Sequence, residues 1–121
     1  MKNAVNWFEI PTTDIKRAAL FYEKVLGKRL ESTTFGGIPH VLFPSEGGVG
    51  GALIQDAKRP PASGGALVYL HAPSLDASLT RVKEAGGEVI VPKTDIGEHG
   101  QFGVVRDTEG NSIALHAPRV S

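Results

Sequence analysis

Residues 6–27 read NWFEIPTTDIKRAALFYEKVLG and decide the fold, because they contain a strand, a stop, a helix and a second stop in direct succession. Val5–Ile10 alternates between the two faces of a β-strand, and Pro11 ends that strand. The apolar side chains of Ile15–Leu26 recur at the spacing of one helical face. Gly27 then stands where a glycine commonly ends a helix. This stretch therefore predicts a strand followed directly by an amphipathic helix.

The same order of elements recurs about 60 residues later, after a segment rich in proline and glycine. At that offset Trp7 falls on Leu67 and Gly27 falls on Gly87, and a second apolar helical stripe begins at Leu75. The remaining predicted strands are Lys28–Thr33, His40–Pro44 and Gly51–Gln55 before the linker, and Ala66–His71, Glu88–Val91, Gly100–Arg106 and Ser112–His116 after it.

The prediction is a single α+β domain over residues 1–121, built from two tandem βαβββ modules. Module one covers about 4–57, a linker about 58–64 and module two about 65–118. One sheet with one helix leaves a sheet face uncovered in each module. We expect the two uncovered faces to curve into a half-barrel cleft for a small molecule.

Composition argues against several classes of function. Lys and Arg together number 13, as do Asp and Glu, and no basic run could follow a phosphate backbone. Binding to nucleic acid and attachment to an anionic membrane are therefore not expected. No cysteine is present, which excludes disulfides and thiolate metal sites. Residues 1–6 lack the apolar core of a signal peptide, and no apolar run approaches the roughly 20 residues of a membrane span. We expect a cytoplasmic protein.

Two motifs resemble the vicinal oxygen chelate superfamily, which includes glyoxalase I, extradiol dioxygenases and the bleomycin and fosfomycin resistance proteins. They are FYEKVLG at 21–27 and DTEGN at 107–111, and NWFEIP at 6–11, GGAL at 50–53 and KEAGG at 83–87 extend the likeness over nearly the whole chain. The resemblance implies paired βαβββ modules around a substrate cleft. In many members it also implies a divalent metal held by His and Glu from four strands, and a homodimer in which modules pair across chains.

At the four positions where the resemblance implies metal ligands, this chain has Trp7, Ala52, Leu67 and Ala114. None of these side chains binds a metal. We therefore expect no metal or other cofactor, and this departure disfavours glyoxalase I and dioxygenase activity. A metal-free member of the superfamily and a metal-dependent enzyme with displaced ligands both stay open.

Glu9 is the most informative polar residue, because it shares a strand face with Trp7 and would point into the predicted cleft. A carboxylate on a core strand is costly to bury unless it is paired. Glu9 is therefore the candidate catalytic base or a displaced metal ligand, with a structural ion pair as the alternative. Trp7 is either a cleft wall that stacks on a planar ligand or part of the core.

Histidines and a tyrosine complete the candidate substrate-binding set. Tyr69, His71 and His116 share the strand face of the second-module ligand positions, so that with Glu9 they could line one cleft. The two imidazoles and the Glu9 carboxylate match a facial metal triad in type. His99 lies in a glycine-containing loop that could act as a lid. The full set of predicted substrate-binding residues is Trp7, His40, Tyr69, His71, His99 and His116.

These residues leave three functions open. The chain could be a glyoxalase- or bleomycin-resistance-like protein that acts as a lyase or isomerase with Glu9 as base. It could instead sequester a small compound without turnover. It could also be an interaction module whose cleft is sealed by Trp7 and Leu67. Arg106 and Asp107, in the closing turn, are expected to form a structural pair.

Overall fold

The structure is a computed structural model that describes residues 3–119. Met1, Lys2, Val120 and Ser121 lie outside the described residues. The first two belong to residues 1–6, which lack the apolar core of a signal peptide. The first module contains β1 (Trp7–Pro11), α1 (Ile15–Leu26), β2 (Glu31–Phe35), β3 (Ile38–Leu42) and β4 (Gly50–Ile54). The second contains β5 (Val68–His71), α2 (Leu75–Glu84), β6 (Glu88–Asp95), a short 3-10 helix (Gly97–His99), β7 (Gln101–Arg106) and β8 (Ser112–Ala117).

The two modules have the same sheet topology. The first sheet has the order β1-β4-β3-β2 and the second has the equivalent order β5-β8-β7-β6. In each sheet the first and last strands of the module run parallel as neighbours, and the other pairs are antiparallel. The predicted α+β fold of two βαβββ modules is confirmed.

Helix α1 begins and ends where the sequence predicts. The Asp14 side chain accepts a hydrogen bond from the Arg17 N–H at 3.1 Å, which satisfies one free donor of the first turn. Gly27 has a φ of 66°, and its N–H donates to the Glu23 carbonyl at 2.9 Å. The buried stripe of the helix consists of Ala18, Phe21, Tyr22 and Val25.

Two strands differ from the predicted bounds by three or more residues at one end, and the other strands differ by at most two. Strand β2 begins three residues later than predicted, at Glu31, because the Leu30 N–H is taken by the Glu23 carboxylate at 3.0 Å. It then continues to Phe35, where Gly36 and Gly37, both with positive φ, make the two-residue turn into β3. Strand β6 extends to Asp95, beyond the predicted end, and its register with β7 shifts twice.

The helices join the modules. Helix α1 packs on β3 and β4, α2 packs on β6, β7 and β8, and the two helices pack on each other. A backbone position on this interface has no room for a side chain, since a Cβ at Gly87 would lie 2.6 Å from the Arg106 carbonyl oxygen and 2.5 Å from the Phe21 ring. No helix in residues 3–119 combines the length and the hydropathy needed to cross a bilayer.

A buried carboxylate in the β7–β8 turn links the second module to the first. Asp107 is 4% exposed and accepts hydrogen bonds from the Tyr22 hydroxyl at 2.6 Å and from the Asn111 side-chain amide at 3.0 Å. The same amide donates to the Pro11 carbonyl at 2.7 Å. The backbone N–H groups of Glu109 and Asn111 also donate to Asp107. Burial and the Asp107 charge raise the pKa of Tyr22 well above its ordinary value, so this phenol keeps its proton.

Glu109 from the same turn caps α1 of the other module. Its carboxylate accepts from the Thr13 and Asp14 N–H groups at 2.8 and 2.7 Å and from the Arg17 guanidinium at 2.7 Å. We call the whole set the clasp, and it consists of Pro11, Thr13, Asp14, Arg17 and Tyr22 with Asp107, Glu109 and Asn111.

The predicted Arg106–Asp107 pair is wrong. The partners of Asp107 are Tyr22 and its own turn, and the Arg106 Nε has no hydrogen-bond partner among the described residues. The physical reason is strand alternation. Arg106 lies on the sheet face opposite that of Val105, which belongs to the core, whereas Asp107 is already in the turn beneath α1.

Candidate functional site

The first sheet has an open face, which is the face that α1 does not cover. Phe8 and Ile10 of β1 point toward α1 and join the core, so Trp7 and Glu9 point the other way. The Trp7 side chain lies over Gly50 of the neighbouring strand, where a Cβ would be 3.2 Å from the indole ring. Trp7 is 44% exposed. It is therefore not part of the core, and its ring is available to a ligand.

Glu9 is the centre of a polar group on this open face. Its Oε1 accepts from the Arg59 guanidinium at 2.6 Å, and its Oε2 accepts from the Trp7 indole N–H at 3.3 Å. The His40 Nε2 lies 3.6 Å from the same Oε2. Phe35 meets the His40 ring edge-on, with the ring centroids 5.0 Å apart. We call Trp7, Glu9, His40 and Arg59 the Glu9 cluster.

The Arg59 hydrogen bond lowers the pKa of Glu9 from its ordinary value, against the opposing effect of partial burial, and the Trp7 N–H adds to the lowering. Glu9 is therefore ionised at neutral pH. A carboxylate with a lowered pKa is a weaker base, which counts against general-base catalysis by Glu9 while Arg59 is bound to it.

The other predicted residues lie in the second module. Tyr69 and His71 of β5 are exposed, and the Tyr69 ring lies 6.1 Å from that of Phe102. His116 is half-buried, and its Nε2 donates to the His99 carbonyl at 2.6 Å. His99 itself is exposed, in the short 3-10 helix before β7.

The candidate residues are divided between the two modules. Glu9 is on the first sheet and Tyr69, His71 and His116 are on the second, and the modules contact each other mainly through their helices and the clasp. Between residues 3 and 119, no group of three or more His, Cys, Asp or Glu side chains is arranged to hold a metal ion. The alignment of these four residues along one cleft stays a prediction.

The residues at the family's four metal positions do not fit a metal. Trp7 pairs with Gly50, and Ala52 lies opposite Glu9 on β4. Leu67, just before β5, and Ala114 on β8 provide apolar groups in the second module. Indole and alkyl side chains supply no ligand atom.

Sequence reasoning missed Arg59 and Phe35 as members of the site. Arg59 falls within the predicted linker, and its partner Glu9 is 50 positions away in the chain. Nothing local in the sequence indicates that pairing. Phe35 ends β2 and remains exposed, and only the β2–β3 register brings its ring to His40.

A groove lies between α1 and the β2–β3 hairpin. This groove has a volume of about 500 Å³, and its walls are mostly apolar. Ala19 and the strongly exposed Leu20 line it on the helix side. Of the predicted site residues, only His40 borders it. Because the groove offers few polar atoms to orient a ligand, the Glu9 cluster is the stronger candidate site.

The chain is similar to known proteins in sequence and in fold. The family model described as "Glyoxalase/Bleomycin resistance protein/Dioxygenase superfamily" matches residues 4–115. A glyoxylase-like domain-containing protein of Didymella fabae is 30% identical, over 92% of this chain and 91% of that protein. Two mycobacterial relatives are longer, and the chain spans 44% of their length.

Solved structures share the fold at low identity. A glyoxalase/bleomycin resistance protein from Albidiferax ferrireducens T118 superposes with a TM-score of 0.74 at 15% identity, covering 97% of this chain and 100% of that one. TnmS3, an antibiotic binding protein from Streptomyces sp. CB03234, superposes with a TM-score of 0.65 at 23% identity, covering 97% of both chains. The resemblance noted in the sequence is confirmed.

Proposed function

This chain belongs to the glyoxalase/bleomycin resistance protein/dioxygenase superfamily, and on that premise we propose that it binds a small planar molecule on the open face of its first sheet. One observation carries the proposal. An exposed indole, that of Trp7, lies beside the charged Glu9–Arg59 pair and the imidazole of His40. A flat apolar surface next to a few fixed polar atoms is the usual composition of a ligand site.

We propose sequestration as the leading role, with catalysis second. The same fold serves as an antibiotic binding protein in TnmS3, which supports binding without turnover as a use of this architecture. Lyase or isomerase chemistry with Glu9 as base is the alternative, and the Arg59 ion pair weakens it. Conversion of a bound compound to product by the purified protein would favour the alternative.

We further propose that ligand binding requires no metal. Apolar side chains occupy the four positions where members of the family hold a metal, and these are Trp7, Ala52, Leu67 and Ala114. A metal-dependent enzyme with displaced ligands would need Glu9, His71 and His116 from different sheets to meet.

Intrinsic fluorescence tests the proposed site directly, because Trp7 is the only tryptophan of the chain. We expect a compound that raises the melting temperature in a screen of planar aromatic and glycopeptide-like molecules also to change the Trp7 emission. Trp7→Ala should weaken its binding about tenfold, since an aromatic stack contributes about 1 kcal/mol beyond area burial. EDTA should leave the thermal shift unchanged.

Leu20→Ala is the matched control, since Leu20 is an exposed apolar side chain that lines the α1 groove and not the open face. A ligand that loses affinity with Leu20→Ala and keeps it with Trp7→Ala would place the binding site in that groove and refute the proposal.

We also propose that the chain forms a homodimer. Trp7 and Phe35 are exposed on the first sheet, and Leu67 and Tyr69 are exposed near the second. Together they form a larger apolar surface than isolated exposed residues would. Pairing across chains would cover part of this apolar surface and bring the two modules' candidate residues closer. Light scattering at micromolar concentration should give twice the mass of one chain, and the mass of a single chain would count against the dimer.

A further inference from the structure

We propose that the His40 Nε2 is the main hydrogen-bond acceptor of this site, with the Glu9 Oε2 as a second acceptor, and that it selects neutral planar ligands carrying an O–H or N–H group. The inference rests on the proposed ligand-binding function and names the ligand class. It also assigns the central role to the imidazole and not to the carboxylate, which the sequence favoured as the reactive group.

The backbone fixes the tautomer of His40. The His40 Nδ1 lies 2.8 Å from the Ile38 carbonyl oxygen. A carbonyl oxygen can only accept, so Nδ1 must carry the hydrogen of this bond. A neutral imidazole has one N–H, and the Nε2 therefore presents a lone pair. The ring cannot easily turn away, because the His40 side chain is 11% exposed and Phe35 packs edge-on against it.

The Nε2 lone pair faces another acceptor. The nearest charged atom is the Glu9 Oε2 at 3.6 Å, too far for a direct hydrogen bond. A donor that lies about 2.8 Å from both atoms would share its hydrogen between the two acceptors, and a ligand hydroxyl or N–H group is such a donor. The His40 Nε2 and the Glu9 Oε2 can therefore accept together from one donor group of a ligand.

The surrounding charges restrict what can bring that hydrogen. Arg59 already neutralises Glu9 through Oε1, and the Trp7 N–H occupies part of Oε2. An anionic ligand would place its charge against the Glu9 carboxylate, and a cationic ligand would place its charge beside Arg59. A neutral donor avoids both repulsions, and a planar ring attached to it can stack on the exposed Trp7 indole. Phenols and N–H heterocycles have these properties.

The tautomer can be measured without any ligand. In the ¹⁵N-labelled full chain at pH 8, we expect long-range ¹H–¹⁵N correlations to assign His40 as the Nδ1-protonated neutral form. An Nε2-protonated ring, or an imidazolium held by Glu9 at that pH, would overturn the inference.

Ligand selection is tested with phenol as the donor and anisole, its methyl ether, as the matched probe without the hydrogen. Phenol should bind more tightly than anisole to the unmodified chain. His40→Phe should weaken phenol binding about three- to tenfold, the effect of one hydrogen bond, and leave anisole binding unchanged. His40→Gln, which restores an acceptor, should recover part of the phenol affinity.

The outcomes separate the two proposals. Equal affinity of phenol and anisole, both quenching Trp7, would overturn the role of His40 and leave the proposed binding function intact. If neither probe nor any planar compound perturbs Trp7, both proposals fail together.

Discussion

Asp107→Ala is expected to lower the free energy of unfolding by about 3–5 kcal/mol, a large part of the stability of a domain of this size. Asp107 is 4% exposed and serves four donors, which are the Tyr22 hydroxyl, the Asn111 side-chain amide and two backbone N–H groups. Alanine would leave these donors buried without an acceptor. Urea denaturation monitored by circular dichroism measures the change.

Tyr22→Phe is the matched control for the same hydrogen bond. It keeps the ring that packs on Phe43 at a centroid distance of 5.5 Å and removes only the hydroxyl. We expect a loss of about 1–2 kcal/mol, because Asp107 keeps its other donors. Combining the two substitutions should cost less than the sum of the single effects, since both remove the same bond. A loss below about 1 kcal/mol for Asp107→Ala would contradict the role assigned to the clasp.

Acid should weaken the clasp through Glu109. The Arg17 guanidinium and the Thr13, Asp14 and Thr108 donors together outweigh burial and lower the pKa of Glu109 from 4.5 to about 2. Because the folded pKa is below the unfolded one, the stabilisation is fully present above pH 4.5 and is lost as the pH falls toward 2. Because half of the Arg17 side chain is exposed, solvent screening reduces the stabilisation below the full value of the shift, to on the order of 1–2 kcal/mol.

Glu109→Gln isolates this contribution, because glutamine keeps the shape and an acceptor oxygen but cannot ionise. The two proteins should differ most in unfolding free energy at pH 7 and should converge toward pH 2. All other carboxylates titrate in both proteins, so the difference between the two curves reports Glu109. A difference that stays constant from pH 7 to pH 2 would show that its charge does not stabilise the fold.

Local signals predicted the first helix to the residue. The apolar stripe indicated where the helix begins and Gly27 where it ends. In the structure, the Asp14 cap and the Gly27 N–H are both satisfied by groups within four residues of them in the chain. The module repeat was also predictable, because each module repeats the same local order of strand, helix and glycine. The ends of the strands were less predictable, because the start of β2 depends on the hydrogen bond from the Leu30 N–H to the Glu23 carboxylate.

The site was only partly predictable. Strand alternation correctly placed Trp7 and Glu9 on one face. The partner of Glu9 could not be predicted, because the contact with Arg59 depends on the path of the linker and not on any periodic pattern. The expected meeting of Glu9 with His71 and His116 stays a prediction, since these residues lie on different sheets and the arrangement of whole modules is set by the helix packing and the clasp.

Through Arg59, the segment between the modules contributes a side chain to the candidate site and does not only connect the two sheets. Arg59 stands next to Pro60 and Pro61, whose rings restrict the backbone and so limit where the guanidinium can reach. Inserting or deleting a single residue there would relocate one of the two opposite charges of the site while both sheets kept their hydrogen bonds. Within such a scaffold, ligand preference can diverge by changes in loop length alone.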